Sequence, residues 1–334
     1  MRVLLAKLLI GLLSFLVVIV TVLTFVGYIG SWRYFEMFSD YRPFLLVAGV
    51  VLLLGAALLL KFVKAWRNIL LGAAVGATVV TLVNTFEVLP WLLANPREKA
   101  PSDVSAKTIK LLAFNLEGDG PVNKSYTETR AFVRQESPDI AMFCECGHGW
   151  PDELQSLTNE LPHHVRIPAM DIDVFSRHPM VRTQVFHFGP RRGFVVVGVS
   201  VKGMELSFVA THTYSRHWVG DQGFAWRNEA LEIGIGKLLA DAPRPLVVMG
   251  DLNVGPWSPV YKRMMKASGF NDARRGHGLL VTHHGHGAIS KLLWKPIDHC
   301  LFSAELEVNN IHTGPDLTSD HLPVVAEFVL PDRR

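Results

Sequence analysis

Charge is scarce in this sequence. Asp, Glu, Lys and Arg make up 19% of its 334 residues, against about a quarter in ordinary soluble domains. Hydrophobic residues reach 49%, and the mean hydropathy is +0.24. These figures exclude a disordered chain and argue against a purely water-soluble one. Cysteine is scarce too, with only Cys144, Cys146 and Cys300. An odd, small number is no disulfide framework. Cys144 and Cys146 stand at i, i+2 in an apolar run, which predicts one face of a strand. They read as small buried hydrophobes, with a metal site or a disulfide as the other reading.

The scarcity is uneven. Residues 8–30, 43–60 and 68–86 run 23, 18 and 19 positions without a charge. Each is near the roughly 20 residues that cross a bilayer core, and only helices satisfy the backbone there. A cleaved signal peptide does not suit the first stretch. Its apolar core is too long, and no small-residue cleavage site follows. Three transmembrane helices are therefore expected. Lys/Arg counts orient them. Arg2 and Lys7 precede the first span, and Lys61, Lys64 and Arg67 lie between the second and third. In the 31–42 loop, Arg33 and Arg42 are offset by Glu36 and Asp40. The positive-inside rule then leaves the residues beyond about 95 outside the cell. Trp32, Tyr34, Tyr41 and Trp91 stand at span ends, as interfacial aromatics do. The free cysteines weigh weakly against an oxidising compartment.

Residues 1–94 hold seven basic and three acidic side chains, leaving 26 of 33 basic and 27 of 30 acidic residues for the remainder. The first part is thus +4 and the rest −1, so the pI of 8.7 belongs to the N-terminal part. This is not the signature of a nucleic-acid-binding domain. The expected organisation is a membrane domain over 1–94, a polar linker with two prolines over 95–107, and a soluble domain over 108–331.

The soluble part alternates strands and helices. Strands are predicted at 108–116, 139–144, 172–175, 194–201, 205–211, 246–250, 297–303, 305–311 and 323–329. Helices are predicted at 127–136, 150–161, 222–240 and 259–268. Ser258-Pro259 is an N-cap followed by proline at the first helical position. The pattern implies a layered α/β sandwich.

Polar residues of catalytic type stand at the strand ends. Ala113-Phe114 leads to Asn115, and Phe143-Cys144 to Glu145. Ala210-Thr211 leads to His212, Met249-Gly250 to Asp251-Leu252-Asn253, and Pro296-Ile297 to Asp298. Ser319-Asp320-His321 precedes the last strand. Functional groups of an α/β layer gather at one end of its strands. Carboxylates, amides and imidazoles converging there suit a hard divalent cation and phosphate oxygens.

In that order, the six segments resemble the endonuclease/exonuclease/phosphatase superfamily, whose DNase-I-like fold is a four-layer α/β sandwich. The resemblance covers about 108–331. It implies a Mg²⁺-dependent hydrolase (Mn²⁺ being the substitute) with Glu145 as principal metal ligand, Asn115 helping to set the metal site, and Asp320 beside it. It implies that Asp251 orients or deprotonates the attacking water and that Asn253 donates to phosphoryl oxygens. His321 stabilises the transition state, Asp298 holds its ring, and His212 contacts the scissile phosphate. Two positions depart from the usual pattern. Cys144 stands where Gln is common before the metal Glu, and Thr213 where Leu often follows the strand-end His. Asp171 and Asp173 are weak candidates for a partner to His212.

The histidines His277, His283, His284 and His286 lack strict zinc spacing and read as a loop near the phosphate, a zinc site being the alternative. Arg191-Arg192 and Arg274-Arg275 read as solvated surface pairs, with phosphate binding as the other reading. Three N-terminal spans and the segment 255–261 make the chain similar to the membrane-bound branch that includes vancomycin/teicoplanin-resistance type proteins. That similarity implies a lipid-linked phosphate or pyrophosphate, such as undecaprenyl pyrophosphate, at the outer face of a bacterial-type inner membrane. Trp257 and Tyr261 either touch lipid or pack under the site. A membrane-tethered nuclease, a phospholipase-C-type enzyme and a non-catalytic binder of phosphorylated ligands are the alternatives. No protein partner follows from the sequence.

Overall fold

The computed structural model describes residues 2–93, 108–118, 126–147, 149–217, 219–285 and 293–331. Residues 95–107 and His286 lie outside that set. Two compact units emerge: Met1–Pro90 with Trp257–Pro259, and Trp91–Pro256 with Val260–Arg334.

The first unit is helical, with α1 (Arg2–Val26), the short α2 (Arg33–Glu36), α3 (Arg42–Phe62) and α4 (Arg67–Leu92). Three stretches are long and apolar enough to cross a membrane: Val3–Val26, Arg33–Phe62 and Lys64–Leu92. The second exceeds its charge-free run because helix starts at Arg33, within the 31–42 segment expected as loop, as α2 and a 3₁₀ turn (Met37–Tyr41). Val17, Leu52, Ala73 and Ala77 form a small apolar seam. Large apolar side chains such as Phe15, Leu54 and Phe86 face outward, which water does not favour. Polar contacts join the helices: Arg42 Nη1 donates to Asn84 Oδ1 at 3.1 Å, and Asn84 Nδ2 to Thr24 Oγ1 at 3.1 Å. Such bonds hold helices together where apolar surface alone gives little preference.

The second unit is built from β1 (Thr108–Asn115), α5 (Tyr126–Glu136), β2 (Ile140–Cys144), α6 (Trp150–Leu154), β3 (His163–Ile167), β4 (Ile172–Ser176), β5 (Met180–His187), β6 (Gly193–Val201) and β7 (Met204–His212). It continues with α7 (Gly220–Glu229), β8 (Leu246–Asp251), α8 (Pro259–Ser268), β9 (Asn271–Asp272), β10 (Asp298–Phe302), β11 (Glu307–Thr313) and β12 (Val324–Val329). Two six-stranded mixed sheets result, in the orders β11-β12-β1-β2-β4-β3 and β5-β6-β7-β8-β10-β9. One apolar core lies between them, with Leu111, Met142 and Val174 of the first sheet meeting Val197, Phe208 and Met249 of the second. A second core packs Leu112, Phe143 and Phe175 under Phe132, Trp150 and Leu154 of α5 and α6. This is the DNase-I-like arrangement of sheets between helices.

Three strands are not anticipated in the sequence reading: β3, β5 and β9. β5 has a mostly exposed pattern because it is an edge strand paired only with β6. The helix predicted over 150–161 breaks after Leu154 into a 3₁₀ turn (Gln155–Asn159). The long helix predicted over 222–240 is α7 followed by a π-helical segment (Ala230–Leu238). Gly234 in that segment lies so close to the sheet that a Cβ would stand 2.7 Å from Phe194, so only glycine fits.

The cysteines are buried and free, but the pair does not share a face. Cys144 ends β2 and enters the inter-sheet core, whereas Cys146 joins the core beneath the helices. Glu145 between them has φ +55°, which ends the strand alternation. Burial raises all three thiols well above their ordinary value.

Candidate active site

Strand register assembles the site. In parallel pairs, Asn115 lies opposite Cys144 and His212 opposite Asp251. Antiparallel pairing sets Asp298 opposite Asp251. Gly250 has φ +136°, and a Cβ there would lie 1.9 Å from the Thr211 carbonyl oxygen. Glycine thus allows β8 to hug β7 immediately before Asp251.

A cavity of about 310 Å³ opens at this end of the sheets. Glu117, Glu145, Asp251 and Asp320 line it, with Arg192, His212, His283, His321, Asn253 and Ser215. Of the expected residues, Asn115 and Asp298 are buried behind this lining.

Asn115 Nδ2 donates to Glu145 Oε1 at 3.3 Å and to Asp251 Oδ2 at 3.2 Å, bridging the two acids. Asp251 also accepts from the Asn253 backbone at 2.7 Å and from Asn253 Nδ2 at 3.0 Å. Asn253 Nδ2 donates further to the Thr213 carbonyl at 3.0 Å. Asn253 therefore braces Asp251, and would have to release one of these bonds to donate to a phosphoryl oxygen. His321 Nδ1 lies 2.8 Å from Asp298 Oδ2, which directs Nε2 toward Asp251 (3.7 Å) and Asp320 (3.8 Å). Ser319 Oγ donates to the Asn115 carbonyl at 2.8 Å and accepts from the His321 backbone at 3.0 Å, tying the last segment to β1. Glu145 and Asn253 both hold positive φ, at 55° and 50°. Such backbone costs about 1 kcal/mol or more and gathers at functional sites.

The electrostatics follow from burial and crowding. Burial raises Glu145 above the usual carboxylate range, against the opposing pull of Arg192. Burial and the neighbouring Asp298 push Asp251 up to about 8. Burial disfavours a charged ring at His321, but Asp298 and Asp251 outweigh it and raise His321 to about 10. His321 therefore favours its imidazolium form. His212 is held well below its ordinary value by burial, then by the positive Arg192 and His321. His212 is thus neutral.

The acids around the cavity outnumber its fixed cations, and two of them resist ionisation. A divalent cation would supply the missing positive charge, and the oxygen donors of Glu145 and Asp320 suit a hard ion. The donor set therefore fits a metal of the Mg²⁺ type. The arrangement also offers a cationic hydrogen-bond donor, a buried carboxylate and a guanidinium around one space. Those are the parts needed to stabilise charge on a phosphoryl group.

Several expectations change. His212 Nε2 faces Glu145 Oε1 at 3.3 Å; Asp173 instead pairs with His164 at 2.7 Å, and Asp171 lies 3.6 Å from Arg191. The arginine pairs split. Arg191 is exposed, whereas Arg192 is buried and lines the cavity. Arg274 is buried in an ion pair with Asp272 at 2.7 Å and is no surface residue, and Arg275 lies over the Trp91 ring. Trp257 and Tyr261 are both buried, with Trp257 Nε1 donating to the Glu87 carbonyl at 2.9 Å and Tyr261 Oη to Asp272. Sequence reasoning missed Glu117 and Ser215, and it placed the histidine segment near the phosphate without singling out His283, which lines the cavity. The signal for Glu117 is an acid two residues beyond the strand-end Asn115. For His283 it is the histidine-rich segment, and for Ser215 there is none.

Fold and site together define a metal-dependent hydrolase of phosphoester bonds. The chain belongs to the endonuclease/exonuclease/phosphatase family, whose pattern matches residues 112–321. Among curated proteins none matches the chain by sequence. The structure is similar to D. rerio TDP2 complexed with single strand DNA product, at 13% identity, covering 66% of this chain and 99% of that one, with a TM-score of 0.53. It is also similar to sphingomyelinase C from Streptomyces griseocarneus, at 17% identity, covering 66% and 99%, with a TM-score of 0.51. At these identities the likeness is one of fold.

Proposed function

We propose that the protein is a membrane-anchored, Mg²⁺-dependent phosphohydrolase acting on a lipid-linked phosphate or pyrophosphate, of which undecaprenyl pyrophosphate is the model substrate. In this reading residues 1–94 are the membrane domain, 95–107 a linker and 108–331 the catalytic domain. The observation that carries it is an acid-lined cavity with a cationic His321 and Arg192, in a chain with three helices apolar enough to cross a bilayer. A tether raises the effective concentration of a substrate confined to the same membrane. The −1 charge of residues 95–334 gives little purchase on a long polyanion.

Glu145, Asn115 and Asp320 would hold the cation, with Mn²⁺ as its substitute; once bound, it would supply neutralisation of nonbridging oxygens and acidification of water. Asp251 orients the attacking water and takes its proton, once positive charge beside it favours its carboxylate form. His321 donates from Nε2 to the phosphoryl group, and Asp298 fixes the ring through Nδ1. Neutral His212 and Arg192 contact the remaining phosphoryl oxygens. Asn253 keeps Asp251 in register and lies at the cavity wall.

The test is turnover by the full chain in detergent, with undecaprenyl pyrophosphate, sphingomyelin and single- and double-stranded DNA offered in parallel. Phosphate release from the polyprenyl lipid is expected, falling by about 10²-fold or more with EDTA and returning with Mg²⁺. Cut DNA with untouched lipid would establish a tethered nuclease, and phosphocholine release a phospholipase-C-type enzyme.

The catalytic domain lies outside a bacterial-type inner membrane, as the 61–67 charge excess favours. Protease added to sealed cells should digest residues 100–334, whereas protection would reverse the orientation.

A further inference from the structure

We propose that His283 and His321, together with Asp320 shared with the oxygen-donor site, form a binding site for a zinc-class transition-metal ion, and that an ion held there inhibits the enzyme. The inference does not depend on which phosphate is the substrate.

One histidine of the 277–286 segment is brought into the cavity and fixed there. The His283 backbone N–H donates to the Lys295 carbonyl at 3.0 Å, and the Lys295 N–H to the His283 carbonyl at 2.8 Å. On the other side, the Leu322 N–H donates to the Thr282 carbonyl at 2.6 Å, and the His284 N–H to the Asp320 carbonyl at 3.0 Å. Thr282 Oγ1 accepts from the backbone N–H groups of Ile297 (3.2 Å) and Asp298 (3.0 Å). His283 is thus laced between the start of β10 and the segment that carries Asp320 and His321.

The side chains converge. His283 Nε2 lies 3.3 Å from Asp320 Oδ2, and His321 Nε2 lies 3.8 Å from Asp320 Oδ1. One ligand atom from each of the three residues falls within 4.8 Å of the others. The two rings meet edge to face with centroids 4.8 Å apart. His321 already has the support that metal-bound histidines use. Its Nδ1 is held by a carboxylate, which leaves Nε2 directed at the cavity. Two imidazoles and one carboxylate are the three-ligand set of an open zinc site, whereas Mg²⁺ prefers oxygen. His284 does not take part, since its Nδ1 lies 2.9 Å from the Gly285 carbonyl and its Nε2 3.9 Å from Asp316.

An ion bound here occupies Nε2 of His321 and takes up Asp320, so His321 no longer faces the phosphoryl group and the Mg²⁺ site loses a ligand; zinc therefore inhibits.

The test titrates Zn²⁺ into the full chain in detergent against a chromophoric chelator, without substrate. Co²⁺ absorbance reports tetrahedral coordination. One tight site is expected. His283→Gln and His321→Ala should each weaken it by about tenfold or more, since even an outer residue supporting a ligand is worth that much. His284→Gln should leave it unchanged. Zinc inhibition of Mg²⁺-supported turnover should shift in His283→Gln by the same factor as binding. No tight zinc site in the wild type, unaltered affinity in His283→Gln, or equal weakening by His284→Gln overturns the proposal. Because binding is read without substrate, this failure is separable from failure of the lipid reading.

Discussion

His321→Ala and Asp251→Asn are each expected to lower turnover by roughly 10²-fold or more while the protein stays folded. Among the described residues of the cavity, His321 is the imidazole that its neighbours favour as a cation and that is held in one orientation, by Asp298 at 2.8 Å. Alanine removes the donor and leaves Asp298 facing a small void. Asp251→Asn is nearly isosteric, and the lost charge is one that burial and Asp298 already disfavour. Stability should therefore hold, although one of the amide donors of Asn115 or Asn253 must find a new acceptor. Initial rates at saturating Mg²⁺, with thermal midpoints measured alongside, decide the matter. A rate within about tenfold of wild type in either variant would remove that residue from the proposed mechanism.

Arg274→Met should destabilise the catalytic unit by about 3–5 kcal/mol. Arg274 is only 1% exposed and grips Asp272 with two bonds, Nε to Oδ1 at 3.1 Å and Nη2 to Oδ2 at 2.7 Å. Its Nη1 donates to the Pro296 carbonyl at 3.0 Å, and Tyr261 Oη donates to Asp272 at 2.5 Å. Methionine leaves a buried carboxylate without its cation. In a unit of this size the loss corresponds to a fall in thermal midpoint of about 6–20 °C. The double variant Arg274→Met/Asp272→Asn should recover much of it, because both charges then leave together. The pH dependence has a definite sign. Burial opposes ionisation of Asp272, but Arg274 and His299 outweigh it and hold the carboxyl well below the usual range. Stability from this pair is present above the unfolded carboxylate value of about 3.9 and is lost as pH falls toward the folded value. The gap between wild type and Arg274→Met should accordingly narrow below about pH 4. A gap that persists unchanged there would mean that lost packing, not charge, is the cause.

Legibility in the sequence followed how local each signal was. The strands ending at Asn115, His212 and Asp251 were readable because each carries a short apolar run, residues 111–114, 208–210 and 246–249, close to its polar end. β5 was not, because an edge strand buries too little to need such a run. The break in the helix after Glu229 was hidden as well. Gly234 of the π-helical segment fits closely against Phe194 and Phe188, which lie far away in the chain. The arginines show the same limit. Arg191-Arg192 and Arg274-Arg275 are equivalent dipeptides by composition, yet Arg192 lines the cavity while Arg274 is buried against Asp272.

Composition and local pattern determined the three apolar helices, the alternation of strands and helices, and the identity of the strand-end acids, amides and imidazoles. Each of these rests on interactions within a few residues: helical hydrogen bonds, side-chain periodicity and the residue that stops a run. The tertiary structure alone decided which groups meet. It set Asp298 against His321, turned His212 toward Glu145 in place of Asp171 or Asp173, and carried His283 to Asp320. Those distances are set by strand register and inter-sheet packing between segments up to some 200 residues apart, as in the Ser319–Asn115 bond with its separation of 204. No local pattern encodes a contact of that range, because it exists only once both sheets have closed over a common core.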